Sequence, residues 1–451
     1  YLLLPESKNN LDEEEAESES AILLDSFSSD TIKQIQIVND NETIVLIKDN
    51  NAIYFEGESS IPLDETKTTA MLRALANIQA NSIMSEEQTT LSEFGLDNPK
   101  MVVKVTSGDK VVEYKIGDTV PVIGGNYAIR SSDNKVYSLS NSFYKSFYYT
   151  KMGLIEQETF PTLDVAKMTR LLIENKDGEN YEFIRPPEEL RVASYNLWNM
   201  IQPYKKPVSC DDNNMQTLLS GYTSLTFKDM VEYQCNDLKK YGLDNPASSI
   251  TIDYNEEDSI TIYIGESDGV ENNYVHIKGS KSVYLMNSNT LQTMTKLDTF
   301  AYVDHCIYLG LVTDMDKVTF ITKKGKKVIT HDTAELETKD EITGSNIDNL
   351  YYLEGELIPS DQEENYITIY SSEYLIEFSQ LAKDSVKPSD KEPVLTIIYE
   401  PIEGEKVVVK YFPYDGVNFY RADKDGMDLF VVNKRSVDDV IRQIDEFQIL
   451  K

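Results

Sequence analysis

Short stretches in which β-branched or aromatic residues alternate with polar ones run the length of the chain, and each predicts a half-buried strand. Ile35-Gln36-Ile37 and Ile44-Val45-Leu46-Ile47 flank the polar turn Asn39-Asp40-Asn41, a hairpin pattern. The period then changes. Met71, Leu72, Leu75 and Ile78 form one apolar stripe at helical spacing, with Asp64 placed to cap the helix. Beyond it Val103 and Val105, then Tyr114 and Ile116, restore the alternation around the turn Ser107-Gly108-Asp109.

The same succession returns twice. Strands are predicted near Leu171-Leu172-Ile173 and Tyr181-Glu182-Phe183, then a helix carrying Met215, Leu218, Leu219 and Tyr222. A hairpin follows, in which Ile250, Ile252 and Tyr254, then Ile260, Ile262 and Ile264, alternate about the acidic turn Asn255 to Asp258. A third, degenerate succession opens with Val318-Thr319-Phe320-Ile321 and Val328-Ile329-Thr330 about Lys324-Gly325. Its helical stripe is read at Tyr374, Phe378, Leu381 and Ala382, and its later hairpin at Leu395 to Tyr399 with Val407 to Phe412. It closes with Asn418-Phe419-Tyr420-Arg421 and Asp428-Leu429-Phe430-Val431.

Identity of residues supports the first two copies. Leu91-Ser92-Glu93-Phe94-Gly95-Leu96-Asp97-Asn98-Pro99 recurs as Leu238-Lys239-Lys240-Tyr241-Gly242-Leu243-Asp244-Asn245-Pro246, an offset of 238 − 91 = 147. Ile116-Gly117 answers Ile264-Gly265, Asn126-Tyr127 answers Asn273-Tyr274, and Val136-Tyr137 answers Val283-Tyr284. The expected fold is therefore α+β, three tandem repeats at 31–160, 161–312 and 313–451, each of antiparallel hairpins packed on a principal helix. The shared motif has two readings. Gly95 and Gly242 suit a helix end in the left-handed conformation, with Leu96 and Leu243 packing back and the prolines barring continuation. The alternative is a ligand loop whose Asp and Asn cradle a cation or polar group.

Charge narrows the partners. In 451 residues, 77 acidic against 43 basic side chains give 43 − 77 = −34. No Lys/Arg stripe overrides that field, which argues against nucleic acid and anionic lipid as partners. Residues 1–30 hold nine acidic groups and Lys8 as the only base, so they are expected to extend by repulsion. Tyr1-Leu2-Leu3-Leu4-Pro5 reads as the outer end of a membrane anchor or signal running into this acidic tether; the alternative is an acidic tail on a soluble protein.

Chemistry-bearing residues are sparse. Cys210, Cys235 and Cys306 match no redox or zinc spacing and allow at most one bridge, Cys210 to Cys235, against ordinary buried thiols. His276, His305 and His331 form no metal-binding pair by spacing, and His305 beside Cys306 would point to the opposite strand face. Arg421-Ala422-Asp423-Lys424-Asp425-Gly426 superficially matches a calcium loop. With Gly426 at position six, Arg421 and Val432 fall where oxygen ligands are required, so a hairpin turn at Lys424-Asp425-Gly426 is expected instead. No phosphate-binding loop, nucleophile elbow or zinc-protease motif occurs, and no catalytic, cofactor or metal residue is assigned. Twenty-nine tyrosines accompany the single Trp198. The clusters Tyr144-Phe147-Tyr148-Tyr149, Tyr195-Trp198 and Tyr351-Tyr352 are candidate platforms for sugars or peptides, or half-buried strand residues.

The Phe/Tyr-Gly-Leu-Asp-Asn-Pro motif, the following Ile-Gly, and the Asn-Tyr and Val-Tyr strands in tandem resemble the bacterial envelope proteins grouped as domain of unknown function 4340. The resemblance covers two of the three copies; the third copy lacks the motif. It implies an N-terminal membrane anchor and an accessory, extracytoplasmic role beside gliding-type ABC transporter permeases and ATPases, and it brings no catalytic residues. The expected function is thus a non-catalytic accessory or scaffold at the bacterial cell surface, with a transporter permease or envelope component as partner. The alternative is a module binding envelope glycan or peptide.

Overall fold

The computed structural model describes residues 21–450 apart from 40–41, 51, 86–90, 122–123, 194, 336–346 and 383–391. Most of the acidic leader and the turn residues Asp40 and Asn41 therefore lie outside the described residues.

Three nine-stranded antiparallel sheets and seven α-helices make an α+β protein. The first sheet holds β1 (Ile22–Asp25), β2 (Ile32–Asn39), β3 (Glu42–Asp49), β4 (Ala52–Phe55), β5 (Ile78–Ser85), β6 (Met101–Ser107), β7 (Lys110–Thr119), β8 (Asn126–Arg130) and β9 (Val136–Leu139). The second holds β10 (Met168–Asn175), β11 (Tyr181–Ile184), β12 (Asn199–Gln202), β13 (Val208–Ser209), β14 (Asp229–Glu232), β15 (Ser248–Tyr254), β16 (Asp258–Ser267), β17 (Asn272–Ile277) and β18 (Val283–Asn287). The third holds β19 (Met315–Thr322), β20 (Gly325–Glu335), β21 (Ile347–Leu353), β22 (Glu356–Leu357), β23 (Phe378–Leu381), β24 (Leu395–Pro401), β25 (Val407–Pro413), β26 (Phe419–Lys424) and β27 (Met427–Asn433). The helices are α1 (Glu65–Ala76), α2 (Asn141–Phe147), α3 (Lys151–Leu154), α4 (Asp212–Tyr222), α5 (Ser288–Thr295), α6 (Glu363–Glu373) and α7 (Lys434–Glu446).

The chain divides into two compact units. One comprises Tyr1–Pro161, Thr226–Asp244 and Ser267–Asn287, and the other Thr162–Leu225, Asn245–Glu266 and Ser288–Lys451. In the first unit the sheet order is β1-β5-β9-β8-β7-β6-β2-β3-β4, and the run β14-β18-β17 repeats the connectivity of β5-β9-β8. In the second unit β16-β15-β10-β11-β12 repeats β7-β6-β2-β3-β4. The third sheet reproduces all eight places as β23-β27-β26-β25-β24-β19-β20-β21. Only the outermost additions differ: β1 beside β5, β13 beside β12, and β22 beside β21.

Local chemistry accounts for these elements. In the β6/β7 hairpin Val103 faces Tyr114 and Val105 faces Val112, all four buried, and Gly108 takes the positive φ (59°) of the turn. Ile250 faces Ile262 and Ile252 faces Ile260 in β15/β16, again buried, so both hairpins have one dry face. The Asp64 carboxylate accepts from the backbone N–H of Thr66 and Lys67 at 2.9 and 3.1 Å and starts α1. Asp211 does the same for α4 through Asn214 N at 2.8 Å.

Two helical expectations are corrected. Helix α1 ends at Ala76, and Ile78 is the first residue of β5. In the third copy Phe378 and Leu381 belong to strand β23, Tyr374 caps the preceding helix, and Ala382 follows the strand. The helix is α6, whose buried stripe is Tyr366, Ile369, Tyr370 and Glu373. A carboxyl at the fourth core position conceals that stripe from a reading based on apolar residues. The cysteines form no bridge: Cys210, Cys235 and Cys306 are free thiols, the first two buried.

Each of the first two sheets is followed by a returning segment. Ile155 makes a bridge to Leu63, and Val303 makes one to Cys210, a spacing of 210 − 63 = 147 and 303 − 155 = 148 residues. Past the third sheet the chain returns likewise, and the backbone of Leu450 exchanges hydrogen bonds with the Gln362 amide at 2.8 and 3.0 Å.

Candidate functional site

The repeated motif is a chain reversal in both copies. Leu91–Phe94 and Leu238–Tyr241 each make one 3₁₀ turn rather than the end of an α-helix. Gly95 and Gly242 follow with φ of 66° and 67°. Leu96 N donates to Leu91 O at 2.9 Å, and Leu243 N to Leu238 O at 3.0 Å, the six-residue closure of a Schellman turn. Leu96 and Leu243 are buried, 2 % and 3 % exposed, so the apolar residue past the glycine packs inward as read from the sequence.

The other repeated residues lock this turn. Phe94 meets the ring of Tyr127 edge-on at 4.9 Å, and Tyr241 meets Tyr274 at 4.7 Å. The glycine of the first Ile-Gly pair is required because a Cβ on Gly117 would overlap the Phe94 carbonyl oxygen. Leu96 packs with Ile129 and Val136, the latter opening the Val-Tyr strand. A groove of about 230 Å³ runs beside the turn, lined by Leu91, Leu96, Glu113, Lys115, Ile129, Ser131 and Asn134. Asp97 and Asn98 are not among its lining residues, and among the described residues no hydrogen bond or ion pair engages their side chains. The arrangement is a clasp that joins the turn to strands β7, β8 and β9.

Sequence reasoning missed two buried carboxyls. In the first unit Asp25 accepts from Lys110 Nζ at 2.5 Å and from the Tyr114 hydroxyl, with Arg130 NH1 3.5 Å away. Burial, then the hydrogen bond to Asp25, holds the Tyr114 phenol well above its ordinary range. In the second unit Glu373 on α6 accepts from the Tyr399 hydroxyl, while its Oε1 is buried without a partner. Burial pushes this carboxyl up to about 8. Tyr366, Tyr370 and Tyr411 are also buried there, and Tyr370 and Tyr374 both donate to the Gly310 carbonyl, the former at 2.7 Å. A charged residue amid apolar ones leaves no periodic signal, which is why neither carboxyl was legible.

A third missed feature did have a signal. Asp268-Gly269-Val270 recurs as Asp415-Gly416-Val417 at 415 − 268 = 147 residues, the offset of the first motif. Asp268 Oδ1 accepts the backbone N–H of Val270, Glu271 and Asn272, and Asp415 Oδ1 those of Val417, Asn418 and Phe419. The Asn272 amide and these backbone donors lower Asp268 to about 2, and the Phe419, Val417 and Asn418 donors lower Asp415. Both carboxylates stabilise turns.

The remaining candidates are dispersed. The rings of Tyr144 and Tyr148 stack at 4.9 Å, while Phe147 between them in sequence is buried. Tyr195 donates to Asp304 Oδ2 at 2.9 Å and Trp198 is buried; Tyr351 is buried against the His331 ring. His305 stacks on Phe300 at 4.6 Å, whereas Cys306 pairs through its backbone with Glu377, so the neighbours diverge. Burial lowers the pKa of His276 and raises all three thiols. Asp425 and Gly426, with φ of 50° and 80°, form the two-residue turn between Lys424 and Met427, as expected of that segment. Among the described residues no group of three or more His, Cys, Asp or Glu could hold a metal, and no helix is long and apolar enough to cross a membrane.

A family model described as Domain of unknown function (DUF4340) matches the chain twice, over residues 54–206 and 198–341. No curated protein and no solved structure matches the chain.

Proposed function

Because the chain belongs to the DUF4340 family, as the double match over residues 54–341 establishes, we propose that it is a non-catalytic accessory or scaffold protein of the bacterial cell surface. In this reading it is displayed outside the membrane on its acidic leader and contacts an ABC-type transporter of the gliding type or another envelope component. The observation that carries it is the threefold recurrence of one eight-strand connectivity. A tandem array offers equivalent faces in sequence, which is the architecture of an extended protein-binding surface. The 147-residue spacing of the clasp, of the Asp-Gly-Val turn and of the Leu63 and Cys210 bridges supports descent of all three copies from one unit. Within each copy a helix with a buried stripe follows the third shared strand, α1, α4 or α6, and in this reading it is the helix on which the hairpins pack.

Crosslinking in cells of the full-length, natively attached protein, followed by mass spectrometry, tests this. Reproducible recovery of permease or ATPase-complex peptides is expected. Recovery of the protein free in the cytoplasm, or on cell wall without any transporter, overturns it. A second reading, a module for envelope glycan or peptide, is favoured by the stacked Tyr144–Tyr148 pair, whose second ring is 40 % exposed.

A further inference from the structure

A groove of about 420 Å³ lies in the first unit, within the size range of small-ligand sites. Three elements supply it. Helix α1 presents Arg73 beside the small side chains of Ala70 and Ala74, its C-cap presents Asn77, strand β5 presents Gln79 and Asn81, and α2 presents Ser142 and Ser146. The face follows from the local periods: Met71 and Leu75 of α1, and Ile78 and Ala80 of β5, are buried, which turns the intervening polar residues outward. In a chain with 77 acidic residues, none of the lining residues is Asp or Glu, and Arg73 is the single ionisable group.

The fold does not consume these polar groups. The side chains of Arg73, Asn77, Gln79 and Asn81 make no hydrogen bond or ion pair among the described residues. The corresponding helices α6 and α7 are bridged directly, Ser372 Oγ donating to Gln443 Oε1 at 3.2 Å. Helix α2 has 7 residues against 13 in α7, and the space it leaves is the groove.

We propose that this groove binds a short peptide bearing a free carboxylate. Arg73 supplies the planar fork that recognises a carboxylate, and the three side-chain amides supply paired donors and acceptors that match peptide groups. A glycan is the weaker fit. The one aromatic of the groove, Phe143, is only 6 % exposed and packs against Tyr114 and Phe147, so no ring is offered for a sugar face. This deepens the peptide-binding reading above and stands independently of any transporter, so failure here leaves the crosslinking result untouched.

The test is calorimetric or NMR titration of the full chain with tri-alanine carrying a free carboxylate. A ligand of this size in an open groove is expected to bind with a Kd of about 1 mM or below. Its C-terminal amide, and the variant Arg73→Ala with the free acid, should each bind at least about tenfold more weakly. Ala74→Phe, which fills the groove from an accessible helix position, should abolish binding while the circular dichroism stays unchanged. Equal affinity for acid and amide, unchanged affinity in Arg73→Ala, or no binding of the acid at 20-fold the expected Kd overturns the assignment. So does binding of glucuronic acid in preference to the peptide.

Discussion

The Tyr399 hydroxyl donates to Glu373 Oε2 in the interior of the second unit, and the second oxygen of that carboxyl has no partner. The groups facing it are phenols: Tyr370 on its own helix, Tyr399 on β24 and Tyr411 on β25, with no cation among the described residues to stabilise an anion. Ionising Glu373 in the native state is therefore costly. The native carboxyl keeps its proton up to about 8 against about 4.5 for an unperturbed glutamate. Between these values the native state binds the extra proton, so its contribution is full below pH 4.5 and is lost as pH rises through 8. Urea unfolding at pH 5, 7 and 9 should show stability falling by up to about 1.4 kcal/mol per pH unit in that window. Glu373→Gln should flatten the profile, and an equally steep fall in the variant would remove Glu373 as the cause.

The clasp predicts an ordering of glycine substitutions. Gly117→Ala forces a methyl into the Phe94 carbonyl, and backbone cannot move aside cheaply; a loss of about 2–3 kcal/mol is expected. Gly108→Ala meets open space and bears only the left-handed conformation, which costs about 1 kcal/mol. Thermal unfolding of the two variants side by side measures the difference, and equal losses would deny the clasp its role.

Asp25 joins the N-terminal strand β1 to the sheet through Lys110 and Tyr114. Asp25→Ala leaves the buried Tyr114 phenol without its acceptor and removes the ion pair to Lys110, while Arg130 keeps Asp133, so roughly 2 kcal/mol should be lost. Amide exchange should rise first at Leu23 and Gln79, which pair across β1 and β5. Exchange that stays protected there would show that the ladder alone retains the strand.

Thiol chemistry checks the cysteines. Three equivalents should titrate with a disulfide reagent in denaturant and, in the native protein, Cys306 should react first because Cys210 and Cys235 are buried. Burial raises the Cys306 thiol above its ordinary range, so that reaction should be slow at neutral pH and accelerate in alkali. Fewer than three equivalents would indicate a bridge.

Alternation of β-branched and polar residues was enough to locate the hairpins β2/β3 and β6/β7 and their counterparts in the other two sheets, because a strand with one buried face must write its period into the sequence, whereas β5 and β23 were read as helical. The left-handed glycines and their inward leucines were equally legible, since only glycine takes that conformation without strain. Their partners were not. That Phe94 meets Tyr127, that Gly117 faces the Phe94 carbonyl, and that Asp25 reaches Lys110 are contacts between residues 23 to 85 apart in the chain. Helix α6 was misplaced for a related reason, a carboxyl standing where the period expects an apolar residue, tolerable because burial keeps it protonated and the Tyr399 hydroxyl satisfies one of its oxygens. The groove at Arg73 lies further from the sequence still. It depends on where α2 stops and on which polar side chains the fold leaves unengaged, and local periodicity encodes a residue's own exposure but not the vacancy formed by three elements meeting.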